Sequence, residues 1–297
     1  MNFNETLTIK VQNIEEILKK FLPKEEGYQK TILEAMNYSI LAGGKRLRPM
    51  LMQEVYKAFG GTGSVVEPFM AALEMIHTYS LVHDDLPAMD DDEYRRGRKT
   101  THVVYGEAMG ILAGDGLLNY AFETALGAFD GVSVEEYPRV AQALQVLARK
   151  AGVYGMIGGQ VCDIESEKKK EPISSDTLMF IHENKTAALI QAAMMIGGIL
   201  AGADEEQVAQ LEQSAYDLGI AFQIQDDILD VTSTFEELGK PIGSDVKNNK
   251  QTYVTIHGLE YSKAEVKRLS EEAISLVGLD TDSFLVKLFE SLIYRSK

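Results

Sequence analysis

The sequence predicts an all-α protein built as a bundle of helices. Ala, Leu, Glu, Lys and Met are plentiful, whereas proline occurs only seven times and tryptophan not at all, a composition that favours helices. Apolar residues recur at helical spacing nearly everywhere, and the alternating pattern of strands bounded by turn residues is hard to find. Helices of about fifteen to twenty residues between breaks are typical of a bundle.

Turn-forming residues divide the chain into successive helices. The first is amphipathic, because Ile14, Ile17 and Leu18 recur at helical spacing. Clusters of Gly, Pro, Asp, Asn and Ser predict breaks at 23–27, 60–63, around Pro87, 130–138, 168–175, 232–249 and 278–282. Two related acidic motifs lie about half the chain length apart, so two halves of one bundle would face each other. We therefore expect a single domain over residues 1–297.

Charge, cysteine content and hydropathy exclude several classes of protein. Acidic residues outnumber basic ones by 45 to 29, for a net charge of -16, which argues against nucleic acid as a partner because phosphate binding needs clustered cations. Cys162 has no intrachain partner, so a reducing cytoplasm is the expected location. The apolar stretch 187–203 contains Gln191 and three glycines, which favours a buried helix and no stable membrane insertion.

The later acidic cluster lies within an otherwise apolar helix. An ideal helix places Asp226 and Asp230 on one face, with Asp227 beside them. Carboxylates at this density repel one another, and burying them is costly unless cations compensate. A divalent metal ion is the natural compensation.

The earlier acidic cluster contains Asp84, Asp85 and Asp90. Pro87 removes a backbone donor between them and should kink or end the helix, which would return Asp90 to the same mouth as Asp84. One such cluster is equally typical of a solvated helix end, but two matched clusters favour a metal site. Oxygen ligands favour Mg²⁺, and neither a zinc pattern nor an EF-hand loop is present. The metal would serve a phosphorylated substrate.

Cations gather in two short runs, residues 43–49 and 95–99. Their glycines permit close backbone approach, and Arg and Lys match phosphate oxygens, although each run alone is equally typical of a helix C-cap with surface charges. His77 lies two turns before Asp84 and would donate to a phosphate, yet a lone histidine is more often a core residue. Further groups suited to a metal-bound phosphate are Lys185, Thr186, Gln223, Lys240 and Lys250.

Taken together, these motifs resemble the trans-isoprenyl diphosphate synthases, most closely the bacterial farnesyl diphosphate synthases. The order of the motifs along the chain makes the resemblance specific. The segments that carry it are 43–49, 77–80, 84–90, 95–97, 158–163, Lys185-Thr186, Phe222-Gln223, 226–230 and Gly239-Lys240.

The resemblance implies the isoprenoid synthase fold, an antiparallel helical bundle around a deep central cavity, working as a homodimer. It implies a Mg²⁺-dependent prenyltransferase that ionises an allylic diphosphate and joins it to isopentenyl diphosphate. Dimethylallyl and geranyl diphosphate would be extended head-to-tail to (E,E)-farnesyl diphosphate. Released diphosphate would accept the proton, since no protein general base stands out in the sequence.

The resemblance also assigns roles to individual residues. The Mg²⁺ ligands would be Asp84, Asp85, Asp90, Asp226, Asp227 and Asp230. The allylic diphosphate would contact Arg95, Lys185, Thr186, Gln223 and Lys240, with Lys250, Gln160 and Phe222 as further substrate contacts. Isopentenyl diphosphate would contact Gly44, Lys45, Arg48, His77 and Arg96. The catalytic residues would be Asp84, Asp85, Asp90, Arg95, Lys185, Asp226 and Lys240.

Product length depends on the depth of the cavity below the first acidic cluster. Ser80 lies one turn before Asp84, and the family pattern favours bulky Tyr79 as a floor that stops growth at the farnesyl product. A geranylgeranyl diphosphate synthase remains the alternative within the family. A non-catalytic regulatory subunit is the alternative from another class, although it should lack one aspartate motif or the basic pairs. A terpene cyclase should lack the second basic site, which Lys45, Arg48 and Arg96 form here.

Overall fold

The computed structural model describes residues 2–168, 172–232 and 251–293, and helices dominate these residues, which confirms the all-α prediction. In chain order the helices are α1 (Phe3–Lys20), α2 (Lys30–Ile40), α3 (Leu47–Ala58), α4 (Val66–Asp84), α5 (Thr101–Tyr105), α6 (Glu107–Leu126), α7 (Tyr137–Ala151), α8 (Met156–Lys168), α9 (Ser175–Ile181), α10 (Ala188–Ala201), α11 (Glu205–Thr232), α12 (Tyr253–His257), α13 (Leu259–Val277) and α14 (Phe284–Ile293). A π-helical turn, His182–Ala187, leads from α9 into α10, and 3-10 turns occupy Gly127–Gly131 and Val134–Glu136.

The chain divides into two compact units. The first comprises Met1–Leu144 with Ile199–Gly202, and the second comprises Gln145–Gly198 with Ala203–Lys297. The prediction of one domain over residues 1–297 stays a prediction.

Helix α4 is the centre of the first unit. It packs along α6 and also contacts α1, α2 and α3. Its buried residues lie on all sides of the helix, as expected for a helix enclosed by others. The helix ends at Asp84, shortly before Pro87, as predicted from the sequence. The chain then turns back, because the backbone N–H of Asp90 donates to the carbonyl of Asp84 at 2.9 Å.

A two-stranded hairpin follows α4, which the sequence analysis did not predict. Strand β1 (Tyr94–Arg95) pairs antiparallel with β2 (Arg98–Lys99). Arg96 and Gly97 form the turn with φ of 54° and 75°, and two successive left-handed residues are the backbone of a tight type I′ hairpin. Strands of two residues are too short to show an alternating pattern, which explains why the hairpin was missed.

Helix α11 is the longest element of the second unit. It packs along α13 and contacts the π-helical turn, which in turn contacts α8 and α9. Helix α10 is buried along most of its length, which confirms the prediction of a core helix there. Within the described ranges, no helix has both the length and the hydropathy needed to cross a membrane.

Most predicted breaks separate helices in the structure, but five breaks within the described residues were missed. The chain also leaves helical conformation at 41–46, Gly106, 152–155, 202–204 and Gly258. Tertiary contacts, and not a proline, keep the segment 41–46 out of helical conformation. Most of the predicted break at 232–249 lies outside the described residues.

A buried ion pair fixes the loop between α2 and α3. Arg46 Nη1 donates to Glu74 of α4 at 2.7 Å and Nε donates to Glu15 of α1 at 2.6 Å, while Nη2 donates to the carbonyl of Ile40 at 2.6 Å. Burial disfavours the charge on Arg46, but Glu74 and Glu15 outweigh burial and raise its pKa. The side chain is 1% exposed, so it is a structural anchor and not one of the surface charges typical of a helix C-cap.

We expect Glu74→Gln to destabilise the protein by about 3 kcal/mol, because it leaves the buried Arg46 without its buried counter-ion. Urea unfolding of both the variant and the parent measures this loss. The control is Glu15→Gln, whose carboxylate is 24% exposed and should cost less than half as much. Equal losses in the two variants would contradict the assignment of Glu74 as the main partner.

Candidate active site

Three basic side chains of the first unit converge around α4. His77 lies on α4, Arg48 in the first turn of α3, and Arg96 at the hairpin turn. Burial holds the pKa of His77 well below its ordinary value, and the nearby charges of Arg48 and Arg96 lower it further. His77 is therefore neutral at neutral pH and offers one N–H donor beside two guanidinium groups. The convergence of these three predicted residues is the main feature of this unit's site.

Arg48 carries a buried hydrogen-bond donor. Its Nε is buried, and no atom of the described residues accepts a hydrogen bond from it. Burial lowers the pKa of Arg48; the charge of Glu74 opposes this shift, and the like charge of Arg96 adds to it. A desolvated guanidinium whose Nε has no acceptor among these residues favours an anionic ligand, because an anion supplies an acceptor and further negative charge.

The glycine loop before α3 fits closely against Arg96. Arg96 Nη1 donates to the carbonyl of Gly43. A Cβ on Gly44 would overlap Nη1 and lie 2.9 Å from Cζ of the same side chain, and Gly44 has a φ of 143° that suits glycine. Lys45 is exposed next to this contact. Gly44 therefore sets the position of the Arg96 guanidinium, while Lys45 remains accessible to a ligand.

Tyr38 of α2 holds the hairpin that presents the arginines. The Tyr38 hydroxyl donates to the carbonyl of Lys99 at 2.7 Å, and the Arg98 guanidinium lies 4.3 Å from the centre of its ring. Arg98 also donates to the carbonyl of Leu41 at 3.2 Å. The sequence analysis missed Tyr38, because nothing local in the sequence connects it to a run of cations far along the chain.

The first acidic cluster divides into two kinds of carboxylate. Asp85 is buried, and its Oδ1 accepts from Arg95 Nε at 2.6 Å. Burial raises the pKa of Asp85, although Arg95 opposes the shift. Asp84 is half-buried and Asp90 is exposed, and their backbones are joined by the hydrogen bond described above. The structure therefore brings Asp84 and Asp90 together, as the sequence analysis expected of Pro87.

Tyr79 lies in α4, and its ring meets the ring of His83 edge to face, with 5.8 Å between the ring centres. It is 5% exposed, and its hydroxyl has no hydrogen-bond partner in the described part of the chain. Burial raises the pKa of Tyr79 to about 12, with a smaller effect from Asp84. Ser80 is half-buried, and its hydroxyl donates to the carbonyl of His77 at 3.0 Å. Of the two residues, Tyr79 has the bulk to act as a floor.

In the second unit the π-helical turn presents Lys185 and Thr186. Lys185 Nζ donates to Asp163 of α8 at 2.6 Å, and the Thr186 hydroxyl donates to Gln223 of α11 at 3.1 Å. The sequence analysis selected Lys185, Thr186 and Gln223 but gave no role to Asp163. The position of Asp163 on α8, one helical turn after Gly159, was the feature of the sequence that could have indicated its role.

The three acids of the second cluster have different surroundings. Asp226 is half-buried on α11. Asp227 is buried, and its Oδ2 accepts from the backbone N–H of Tyr253, the first residue of α12, at 2.8 Å. The Oδ2 of Asp230 is buried and accepts no hydrogen bond from any described residue. Asp226 and Asp230 lie one helical turn apart, whereas one oxygen of Asp227 is already used to start α12.

These carboxylates fit a magnesium ion. The open Oδ2 of Asp230, one turn from Asp226, is a hard oxygen donor without a hydrogen bond from the described chain. In residues 2–168, 172–232 and 251–293, no group of three His, Cys, Asp or Glu side chains is already arranged as a metal site. Mg²⁺ normally takes one or two carboxylates and completes its shell with waters and substrate phosphates.

Four other predicted site residues need placing. Gln160 on α8 and Phe222 on α11 are half-buried. Lys240 and Lys250 lie outside the described residues, so their roles stay predictions.

Comparison with known proteins places the chain in a family. The family described as polyprenyl synthetase matches residues 29–283. The geranylgeranyl diphosphate synthase of Cyanophora paradoxa is 44% identical, over 88% of this chain and 85% of that protein. The farnesyl diphosphate synthase of Geobacillus stearothermophilus is 43% identical, over 90% of this chain and 88% of that protein. The solved structure of the Pyrococcus horikoshii geranylgeranyl pyrophosphate synthetase gives a TM-score of 0.88 at 30% identity, over 99% of this chain and 98% of that one.

The fold and the family match define a prenyltransferase with the all-α isoprenoid synthase fold. This chain belongs to the polyprenyl synthetase family. The resemblance drawn from the sequence motifs is thereby confirmed at the level of the family.

We expect Gly44→Ala to weaken magnesium-free binding of isopentenyl diphosphate by about tenfold, or ~1.4 kcal/mol, because the new methyl group displaces the Arg96 guanidinium. Isothermal titration calorimetry measures the dissociation constant. The matched control is Gly43→Ala, which has a similarly unfavourable positive φ of 81° but open space around its Cβ. Equal weakening in both variants would show that backbone strain, and not displacement of Arg96, is the cause.

Proposed function

We propose that this prenyltransferase condenses isopentenyl diphosphate with dimethylallyl and then geranyl diphosphate to form (E,E)-farnesyl diphosphate. The observation that carries the proposal is the convergence of His77, Arg48 and Arg96 in the first unit, with the open Arg48 Nε, because this site is built for a diphosphate without metal.

The first unit supplies the proposed isopentenyl diphosphate site. Arg48 and Arg96 pair with phosphate oxygens, and neutral His77 donates one hydrogen bond. Gly44 and Lys45 belong to the loop beside Arg96. Isopentenyl diphosphate is not an allylic ester, so loss of its diphosphate would give no resonance-stabilised cation, and this substrate keeps its diphosphate.

The allylic diphosphate is the substrate that must ionise. In the first unit, Asp84, Asp90 and Arg95 are proposed to act on it, with Asp85 holding Arg95. In the second unit, the proposed groups are Asp226, Asp230, Lys185, Thr186 and Gln223, with Lys240 from the undescribed segment. Magnesium bound by the carboxylates would supply positive charge that stabilises the departing diphosphate.

Protein side chains hold the reactants and limit side reactions. Lys185 and Arg95 each donate hydrogen bonds to the oxygens that gain charge as the allylic bond breaks. The C4 end of bound isopentenyl diphosphate then attacks the allylic cation, and a proton leaves C2 of the isopentenyl unit. The departed diphosphate is the proposed proton acceptor, because it is the strongest base that the reaction itself provides.

Tyr79 supports farnesyl diphosphate as the product. Its buried ring is bulky, and it occupies α4 at the turn before Asp84. A growing prenyl chain that extends along α4 from Asp84 would meet this ring. The alternative product is geranylgeranyl diphosphate, which the name of the Cyanophora relative favours. A regulatory subunit without activity is a third outcome that the same assay detects.

A homodimer and a cytoplasmic location complete the proposal. Helix α6 exposes Ile111, Leu112 and Leu126, each by more than 40%, and a second copy of the chain would cover these apolar side chains. Cys162 is the only cysteine of the sequence, which supports a reducing compartment. The proposed partners are therefore another copy of the chain and the two diphosphate substrates.

We expect Asp226→Asn to lower magnesium-dependent turnover by at least about a hundredfold, because it removes a proposed metal ligand that stabilises leaving-group charge. The rate is measured as incorporation of labelled isopentenyl diphosphate over a range of Mg²⁺ concentrations. The control is Asp217→Asn on the same helix, a buried acid outside the proposed site whose activity should stay within about threefold of the parent. Near-parental turnover in Asp226→Asn would overturn the metal assignment.

We expect the parent to release mainly the C15 product and Tyr79→Ala to release longer products, because loss of the ring deepens the path along α4. Chromatography of the dephosphorylated products reads their chain lengths. Tyr79→Phe keeps the ring and should keep the C15 product. A C20 product from the parent would move the assignment to geranylgeranyl diphosphate, and a folded parent without condensation would favour the regulatory subunit.

A further inference from the structure

The π-helical turn that carries Lys185 and Thr186 is held by close backbone packing on two sides. We propose that Gly159 of α8 and Gly219 of α11 are positioning residues that seat this turn, and that Asp163 is a third positioning residue that aims Lys185. The inference rests on the proposed function, in which Lys185 and Thr186 contact the allylic diphosphate. The three residues would act through Lys185 and Thr186, without touching substrate themselves.

Gly159 lets α8 touch the backbone of the turn. A Cβ at this position would overlap the Lys185 backbone N and would lie 2.7 Å from the Asn184 carbonyl carbon and 2.8 Å from Lys185 Cα. Backbone atoms cannot rotate away as the end of a side chain can. Any larger residue at position 159 therefore has to push the turn and α8 apart.

Gly219 makes the corresponding contact from α11. A Cβ there would lie 2.5 Å from the Cβ of Ala187 and 2.7 Å from its Cα. Ala187 is the last residue of the π-helical turn and is fully buried. The opposing methyl group of Ala187 makes this contact testable, because it can be removed separately.

One helical turn after each glycine, a polar side chain accepts a hydrogen bond from a side chain of the π-helical turn. Gly159 precedes Asp163, which accepts from Lys185 Nζ at 2.6 Å. Gly219 precedes Gln223, which accepts from the Thr186 hydroxyl at 3.1 Å. Residues four apart lie on the same face of a helix, so each helix uses one face for both contacts. The turn is thus fixed in position by its backbone and in orientation by its side chains.

The arrangement links the turn to the proposed metal ligands. Helix α11 carries Gly219 and Gln223, and Asp226 follows within the next turn of the same helix. The depth at which Ala187 rests on Gly219 therefore sets the distance of Lys185 and Thr186 from Asp226. A π-helical segment inside a longer helix is typical of functional sites, and here it has a specific steric support.

The experiment introduces a steric clash between residues 219 and 187 and then removes one of the two methyl groups. In Gly219→Ala the new methyl group meets the Ala187 methyl, and in Gly219→Ala/Ala187→Gly the total number of methyl groups is restored. The control is Gly198→Ala in α10, whose new Cβ meets only side-chain ends, with Leu211 Cδ1 at 2.5 Å and Ala203 Cβ at 3.5 Å. Steady-state kinetics with geranyl diphosphate and isopentenyl diphosphate gives kcat and both KM values.

We expect Gly219→Ala to lower kcat about tenfold or more and to raise the KM for geranyl diphosphate, with the KM for isopentenyl diphosphate unchanged. The double variant removes the closer contact but keeps the new Cβ near the backbone Cα of residue 187, so it should recover part of the lost kcat, and Gly198→Ala should behave as the parent. Normal kinetics in Gly219→Ala, or an equal loss in Gly198→Ala, would each overturn the proposal.

Calorimetry with inorganic diphosphate and Mg²⁺ separates this inference from the proposed function. We expect weaker binding in Gly219→Ala and partial recovery in the double variant, whether or not the parent condenses prenyl diphosphates. A parent that binds diphosphate but forms no prenyl product would contradict the proposed function alone. Equal diphosphate binding by the parent and Gly219→Ala would contradict the positioning role.

Discussion

The buried ion pair between Arg46 and Glu74 is the constraint on which the basic site of the first unit depends. Arg46 also binds Glu15 and the end of α2, so one guanidinium joins three helices to the loop that precedes α3. Arg46 lies next to Lys45 in this loop and two residues before Arg48. Glu74 pairs with Arg46, and the buried Nε of Arg48, two residues later, has no acceptor among the described residues.

The group of basic side chains around His77 and the acidic cluster on α11 use charge in different ways. In the first unit, burial and the like charges of Arg48 and Arg96 lower the pKa of His77. In the second, Lys185 is paired with Asp163, while Asp230 keeps a buried oxygen open. An excess of cations suits a bare diphosphate, whereas an excess of carboxylates suits a metal ion that brings its own diphosphate. This difference supports the proposal that only the substrate that ionises is bound through metal.

Local patterns in the sequence predicted what depends on local physics. Helical periodicity gave the all-α fold, and Pro87 gave the end of α4 and the return of Asp90 toward Asp84. The patterns could not show that Arg46 is buried, since its main partner, Glu74, is 28 residues away. They also could not show that one oxygen of Asp227 starts α12, because Tyr253 is 26 residues away. The contacts of Gly159 and Gly219 depend equally on helices that are distant in sequence.

Product length and chemistry rest on separate features of this chain. In the proposed function, charged groups determine which substrates bind and which bond breaks, whereas the volume filled by Tyr79 would determine how far a chain can grow. Exchanging one buried ring for a smaller side chain leaves Arg48, Arg96 and Lys185 untouched. Relatives named for farnesyl and geranylgeranyl products are 43% and 44% identical to this chain, and such similar values are expected if few side chains decide the product. Overall identity therefore carries little information about product length, which is why the proposal rests on the single side chain of Tyr79.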